Sequence, residues 1–443
     1  MPDFDIFKNR WSISARIELE TPLRIGGGQS AAEYSISSAP VLLTFDAKTR
    51  QYEAFIPGSS LKGVLRSTVE RLIRTFNDEK SCVSVKNKKD HDRSLCGNCV
   101  SCGIFGSMEA GAKIRVRDSH LSDNSRDIMS VKEMPHCATD YRIMGGMFKP
   151  KTGYDKRRKV ETVKTSPRFE ETVTSGTCFD VLIEMDNADY TEFGLILLAL
   201  DEFNKKRVQL GGAASRGNGF ASVTDISVKE KTMGNDMRIS ETEHDIDKLM
   251  RGGKKYLKEI NRDNNTDRRD FDIYYKARAP KSTEGHIVAL LKVTTLTDFI
   301  MPGVEEATVT SGNLPVIPGS TIKGYFRHKL VEKCDADTIK EIFGYTDNHR
   351  GRLLISDAYS DELTEYDRIP ANSVLRMWMV FDNMTKEEIL LIDELRKQNI
   401  IVTGRTSSKL DKKTGNASFN VIQIQMEYEK LDIFRIPDYL EGI

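Results

Sequence analysis

From position 11 to 19 apolar and polar residues alternate (Trp-Ser-Ile-Ser-Ala-Arg-Ile-Glu-Leu), the period of two that a half-buried β-strand requires. The run 286–295 (His-Ile-Val-Ala-Leu-Leu-Lys-Val-Thr-Thr) reads as its counterpart. Each leads through a turn region, Gly26-Gly27-Gly28 or Met301-Pro302-Gly303, to a helix start. One start is Pro57-Gly58-Ser59-Ser60-Leu61-Lys62-Gly63 and the other Pro318-Gly319-Ser320-Thr321-Ile322-Lys323-Gly324. Ser59 or Ser60, and Ser320 or Thr321, are positioned to cap these helices. Leu61, Val64, Leu65, Val69, Leu72 and Ile73 then recur at helical spacing. Further strands are expected over 113–117 and 179–185, and a helix over 191–203.

The same landmarks occur twice in one order. After each helix start comes Ile-Phe-Gly (104–106, 342–344), then an aspartate near a strand end (Asp118, Asp357), then a segment rich in glycine and basic residues. This is the signature of a tandem duplication. The expected fold is α+β, one ferredoxin-like unit per repeat. The first unit spans 1–228, with a metal knuckle at 82–102 and a basic insertion at 130–175. A polar, charged linker at 229–280 follows, with one helix near 246–260, then the second unit at 281–430 and a tail at 431–443.

Basic and acidic residues balance at 66 each, so a nucleic-acid surface would have to arise by local segregation of charge. No apolar run approaches membrane-spanning length, and the acidic start does not suit a signal peptide. Seven cysteines, an odd number with three crowded together, fit a metal site in a reducing compartment better than a disulfide framework. A soluble, cytoplasmic protein is expected.

Cys96-Gly97-Asn98-Cys99-Val100-Ser101-Cys102 has the two-residue spacing that aims neighbouring thiolates at one ion, and zinc takes four such ligands tetrahedrally. His91 or Cys82 supplies the fourth. A zinc held by four protein ligands is structural, with no position open to substrate. The rival readings are free cysteines, a redox motif or an iron–sulfur cluster.

The loop Leu210-Gly211-Gly212-Ala213-Ala214-Ser215-Arg216-Gly217-Asn218-Gly219-Phe220 can approach a phosphate closely, with Arg216 as a donor. It follows a helix and precedes a strand, the reverse of Rossmann and Walker loops; the bland reading is a tight connection with no ligand. Lys62 and Lys323 stand beside helix N-terminal N–H groups, where a lysine suits a phosphate better than it suits the helix dipole. Arg66 and Arg327 lie one turn on. The insertion carries Lys156, Arg157 and Arg158 beyond Phe148, so basic residues could hold a backbone while an apolar side chain wedges a base step. A plain mobile loop is the alternative.

Taken together, Gly-Ser-Ser-Leu-Lys-Gly at 58–63, Cys-x2-Cys-Gly-Ile-Phe-Gly at 99–106, Arg-Val-Arg-Asp at 115–118 and the loop at 211–219 resemble the RAMP superfamily. More narrowly, they resemble the backbone subunit of type III CRISPR effector complexes. The resemblance implies an RRM-like ferredoxin fold and a β-hairpin thumb. It implies as partners CRISPR RNA, single-stranded target RNA and other effector subunits. In many members a loop aspartate cleaves target RNA with a divalent metal; here Ser38 falls at that place. A serine does not serve as a carboxylate ligand or as an easy base at neutral pH. Cleavage with Mg²⁺ would therefore fall to Asp298, Glu305 or Glu306 of the second unit. A histidine-based processing activity would rest on His136 or His120, neither beside an obvious partner motif.

Overall fold

The computed structural model describes residues 6–27, 40–77, 79–82, 95–108, 110–123, 125, 139–155, 160–214, 217–234, 236–261, 284–298, 310–311, 314–331, 333–345, 349–360, 368–398, 400–405 and 419–434. The first unit opens with β1 (Asn9–Leu19), in which Trp11, Ile13, Ile17 and Leu19 are buried while Arg10, Ser12, Ser14 and Arg16 face outward. A small hairpin, β2 (Leu43–Asp46) and β3 (Gln51–Ala54), precedes helix α1 (Gly58–Phe76). That helix buries Leu61, Leu65, Val69, Leu72, Ile73 and Phe76 on one face. Then come α2 (Val100–Phe105), β4 (Ile114–Val116), β5 (His120–Leu121), the long hairpin β6 (Thr139–Asp155) and β7 (Val160–Val173), and β8 (Cys178–Asp186). Helix α3 (Tyr190–Asn204) follows, with β9 (Ala221–Met233) and β10 (Ile239–Glu243) completing the sheet.

The sheet runs in the order β10-β9-β1-β8-β4, antiparallel throughout, with β5 also on β8. Leaving β10 aside, the four core strands lie fourth–first–third–second in chain order. Helices α1 and α3 share one core cluster with the inward side of β1 and β8.

The second unit repeats the scheme with β11 (His286–Thr295), two short pairs β12 (Thr310–Ser311)/β13 (Leu314–Pro315) and β14 (Gly344–Tyr345)/β15 (His349–Arg350), β16 (Leu353–Ile355), β17 (Val374–Asp382), β18 (Ile400–Arg405) and β19 (Phe419–Phe434). Its helices are α5 (Gly319–Val331), α6 (Ala336–Phe343) and α7 (Lys386–Lys397). Sheet order is β16-β17-β11-β19-β18, so the four equivalent strands again lie fourth–first–third–second. Small devices recur too. Arg10 pairs across the sheet with Asp186 and His286 with Asp382. Helices α3 and α7 both begin with a capping box, Asp189 with Glu192 and Thr385 with Glu388. Gly106 (φ 87, ψ 166) and Gly344 (φ 82, ψ 168) end α2 and α6 in the same left-handed turn.

Two boundaries need correction. The polar stretch read as a linker over 229–280 is, in its first half, part of the first unit. β9 and β10 continue the sheet through it, and α4 (Ile246–Ile260) buries Leu249 and Leu257 in the first core. The charged surface of α4 concealed a narrow apolar stripe, which is all that a helix docked by one face needs. Gly194 of α3 and Gly253 of α4 meet there backbone to backbone, a Cβ on Gly253 lying only 2.7 Å from the Gly194 carbonyl carbon. Residues 262–283 lie outside the described set. The expected tail also begins too early, since β19 pairs with β11 out to Phe434. Among the described residues no helix is long and apolar enough to cross a membrane.

Substituting Gly253→Val should force α4 off α3. The expected cost is about 1–3 kcal/mol, the usual penalty for overpacking, with faster amide exchange confined first to 246–260. Unchanged exchange and melting would mean that the helix is not held by this crossing.

Candidate metal centre and nucleic-acid interface

Helix α1 begins at Gly58, and its N-cap, Pro57, has no side chain able to accept a hydrogen bond. Ser59 and Ser60 lie inside the first turn and therefore do not cap it. The acceptor comes from across the fold: Asp118 Oδ1 receives the Gly58 N–H at 2.7 Å. The second unit does the same, with the Gly319 N–H donating to Asp357 Oδ1 at 2.7 Å. A carboxylate at a helix N-terminus satisfies an orphan donor and complements the macrodipole. Glycine is required at both starts, because a Cβ on Gly58 would lie 2.1 Å from Val116 O and one on Gly319 2.3 Å from Ser356 O. The recurring aspartate was legible as a landmark but not as a cap, because its partner is 60 residues away in one unit and 38 in the other.

Lys62 is half-buried one turn into α1 and donates from Nζ to Ile114 O at 3.1 Å. Burial first, and then Arg66 nearby, pulls its ammonium below the usual lysine range. Arg66 turns away toward the cysteine segment. Its Nε meets Glu70 Oε1 at 2.8 Å, Nη1 donates to Gly106 O at 3.0 Å, and Nη2 lies 3.9 Å from Cys102 Sγ. In the second unit Lys323 is half-buried and Arg327 exposed on α5.

The four sulfurs of Cys82, Cys96, Cys99 and Cys102 all lie within 4.8 Å of one another. Cys82 Sγ is 3.6 Å from that of Cys99 and 3.4 Å from that of Cys102. Four thiolates around one zinc at about 2.3 Å would stand roughly 3.8 Å apart, so the cluster has the dimensions of such a site. Helix α1 delivers Cys82 just beyond its end, where the Arg74 guanidinium holds Ser81 O at 3.0 Å and Ser81 Oγ meets Ser101 Oγ at 2.9 Å. Cys99 caps α2 by accepting from the Cys102 amide at 3.5 Å, and Cys102 is buried. Burial works against the Cys96 thiolate, yet hydrogen bonds from the Asn98 and Cys99 amides bring its thiol down to about 7. Burial pushes Cys82 and Cys102 up. Of the two candidates for fourth member, Cys82 joins the group; His91 lies outside the described residues. Among those residues this is the only such grouping of three or more potential metal ligands.

Asp298 is exposed. Its Oδ1 accepts the Ala371 N–H at 2.6 Å, and Oδ2 is 3.9 Å from Arg368 Nη1, so the carboxylate ties two loops together. Glu305, Glu306, Ser38, Arg216, His136 and the Lys156-Arg157-Arg158 run lie outside the described residues. The insertion is a two-stranded hairpin, β6 on β7, with Phe148 on β6.

The glycine loop has a use that spacing alone did not reveal. A Cβ on Gly211 (φ +71) would meet Arg24 O at 2.2 Å, and one on Gly219 (φ +83) would meet Leu210 O at 2.0 Å. One on Gly217 (φ +80) would meet Ile355 O of the second unit at 2.3 Å. Phe220, fully buried, seats between the units on Val288, Leu354 and Val380, with Trp378 and Phe434 beside it. Lys206 Nζ, paired with Glu20 at 2.5 Å, lies 5.4 Å from the centre of the Trp378 ring.

Replacing Asp357 by Ala should destabilise the protein by about 1–2 kcal/mol, the range for a lost helix cap; equilibrium denaturation measures it. An effect below a few tenths would show that the bond to Gly319 is dispensable.

Comparison with known proteins agrees with this duplicated geometry. The chain is 28% identical over 267 residues to the "CRISPR system Cms endoribonuclease Csm3" of Methanocaldococcus jannaschii, covering 55% of this chain and 96% of that one. It is 25% identical over 244 residues to the protein of the same name from Methanothermobacter thermautotrophicus, covering 51% and 88%. With that of Enterococcus italicus it shares 26% over 215 residues, covering 47% and 86%. Each relative thus accounts for about one of the two units. The family model for the RAMP superfamily matches residues 16–222 and again 292–429, and the chain belongs to that superfamily.

Proposed function

We propose that this protein is a CRISPR RNA-binding backbone subunit of a type III effector complex, holding the guide and helping to position target RNA in antiviral defence. The observation that carries the reading is the duplicated helix start, a lysine one turn beyond a carboxylate-anchored glycine in each of two RAMP units. The β-α-β-β-α-β order with strands fourth–first–third–second favours a ferredoxin-like fold for both. Two such units in one chain supply two consecutive supports for a single strand. Lys62, Lys323 and Arg327 are then the phosphate-facing candidates on the helices. Arg216, Lys156, Arg157 and Arg158 belong to the loop and hairpin that would flank the strand, and Phe148 is the wedge. Arg66, engaged with Glu70 and Gly106, acts by fixing the cysteine segment against α1. The remaining expected partners are single-stranded target RNA and other effector subunits, in the cytoplasm.

Cys82, Cys96, Cys99 and Cys102 are proposed to hold one structural zinc, which closes a polar loop that has little core of its own. Purified protein should contain about one zinc per chain by elemental analysis, as expected for one tetrahedral thiolate site. Cys82→Ser should remove most of it while His91→Ala leaves it in place; the reverse pattern overturns the ligand assignment.

Phosphate contacts make affinity fall with salt and carry no sequence information directly. The double variant K62E/K323E should therefore bind guide RNA at least tenfold more weakly, as estimated from two lost charge contacts, with a shallower salt slope. Unchanged affinity sinks the assignment.

The alternative reading is guided, metal-dependent cleavage, which the names of the three relatives favour. Asp298, Glu305 and Glu306 are the carboxylates that would hold Mg²⁺ for attack at a scissile phosphate. Matched RNA offered to the assembled complex should be cut with Mg²⁺ and spared with EDTA on this reading. Cutting that survives Asp298→Ala, Glu305→Ala and Glu306→Ala together rejects it.

A further inference from the structure

The register of the two sheets allows their outer faces to be compared position by position. Arg10 faces Asp186 in one and His286 faces Asp382 in the other, which makes Ser12 equivalent to Val288 and Glu184 to Val380. Likewise Arg115, opposite Glu184, is equivalent to Leu354, opposite Val380. The apolar trio of the second sheet is the seat of Phe220. The same place on the first sheet is polar and ion-paired: Arg115 Nη1 is 2.7 Å from Asp186 Oδ2, and Arg117 Nη2 is 2.9 Å from Glu184 Oε2. Leu182, where the second sheet has Trp378, is 42% exposed.

The plug differs as well. The amide of Glu20 donates to Phe220 O and that of Leu296 to Gln423 O, so Gln423 stands where the first unit carries its buried phenylalanine. In the second unit the chain does not turn at left-handed glycines before this residue; it runs straight through as β19, paired with β18.

We propose that the contact between the two units is made once per chain and is not repeated between copies. The outer face of the first sheet is then the docking surface for a different protein chain, one that brings a polar plug. Continuity with the internal joint argues for occupation, since the equivalent face of the second sheet is covered. Identity argues against a second copy, because neither Gln423 nor the straight strand before it reproduces Phe220. Charge argues against a polyanion, because arginines and carboxylates alternate on this face in mutual ion pairs. The inference rests on the internal register alone and stands or falls independently of guide binding.

Two measurements test it. Sedimentation velocity on the full chain, over a hundredfold range of concentration, should give one monomeric species; growth into larger species with concentration overturns the proposal. In the complex assembled with its neighbours, a photo-crosslinking residue placed at Ser12 should join one defined foreign protein, and Glu184→Lys should release that protein while circular dichroism stays unchanged. Crosslinks to the 419–434 strand of another copy, to RNA, or to nothing each refute it, as does retention of the neighbour by the variant.

Discussion

Two hydrogen bonds of the same length, from Gly58 to Asp118 and from Gly319 to Asp357, organise everything else in this molecule. Each brings a helix start against the end of a sheet strand so closely that no side chain fits at the glycine. The close approach fixes the helix axis over the sheet, and from that axis follow the burial of one helical face and the direction in which α1 delivers Cys82. A rigid support for a charged strand needs such fixed helix ends, because positioning groups on elements held by packing are more accurate than groups on loops.

The fold was legible where periodicity and repetition carried it. Alternation gave β1 and β11, and the repeated helix start gave α1 and α5, because those patterns depend on local geometry alone. The α4 region was misread for a physical reason. With Lys248, Arg251, Lys254, Lys255 and Lys258 in the segment, its composition is that of a solvated linker, and only two small residues mark the line along which α3 crosses it. The ends of β19 and of the linker depend on pairing with strands far away in sequence, which no local window contains.

At the candidate site the cysteine spacing was informative, since two-residue gaps constrain a metal loop locally. The fourth member was not, because Cys82 is brought in by the end of α1 and the intervening residues could place either candidate. The roles of Asp118 and Asp357 escaped for a similar reason, their partners being strand-to-helix neighbours in space only. Gly217 and Phe220 looked like parts of a phosphate loop; their measured neighbours belong to the second unit.

The seat of Phe220 makes the two halves unequal in their independence. A fragment consisting of the second half alone would turn Val288, Leu354 and Val380 toward water, whereas the first half loses only the shelter of one aromatic ring. Because the ribosome releases the self-sufficient half first, the dependent half emerges beside a finished template. Reversing the gene order of the halves would remove that protection during synthesis.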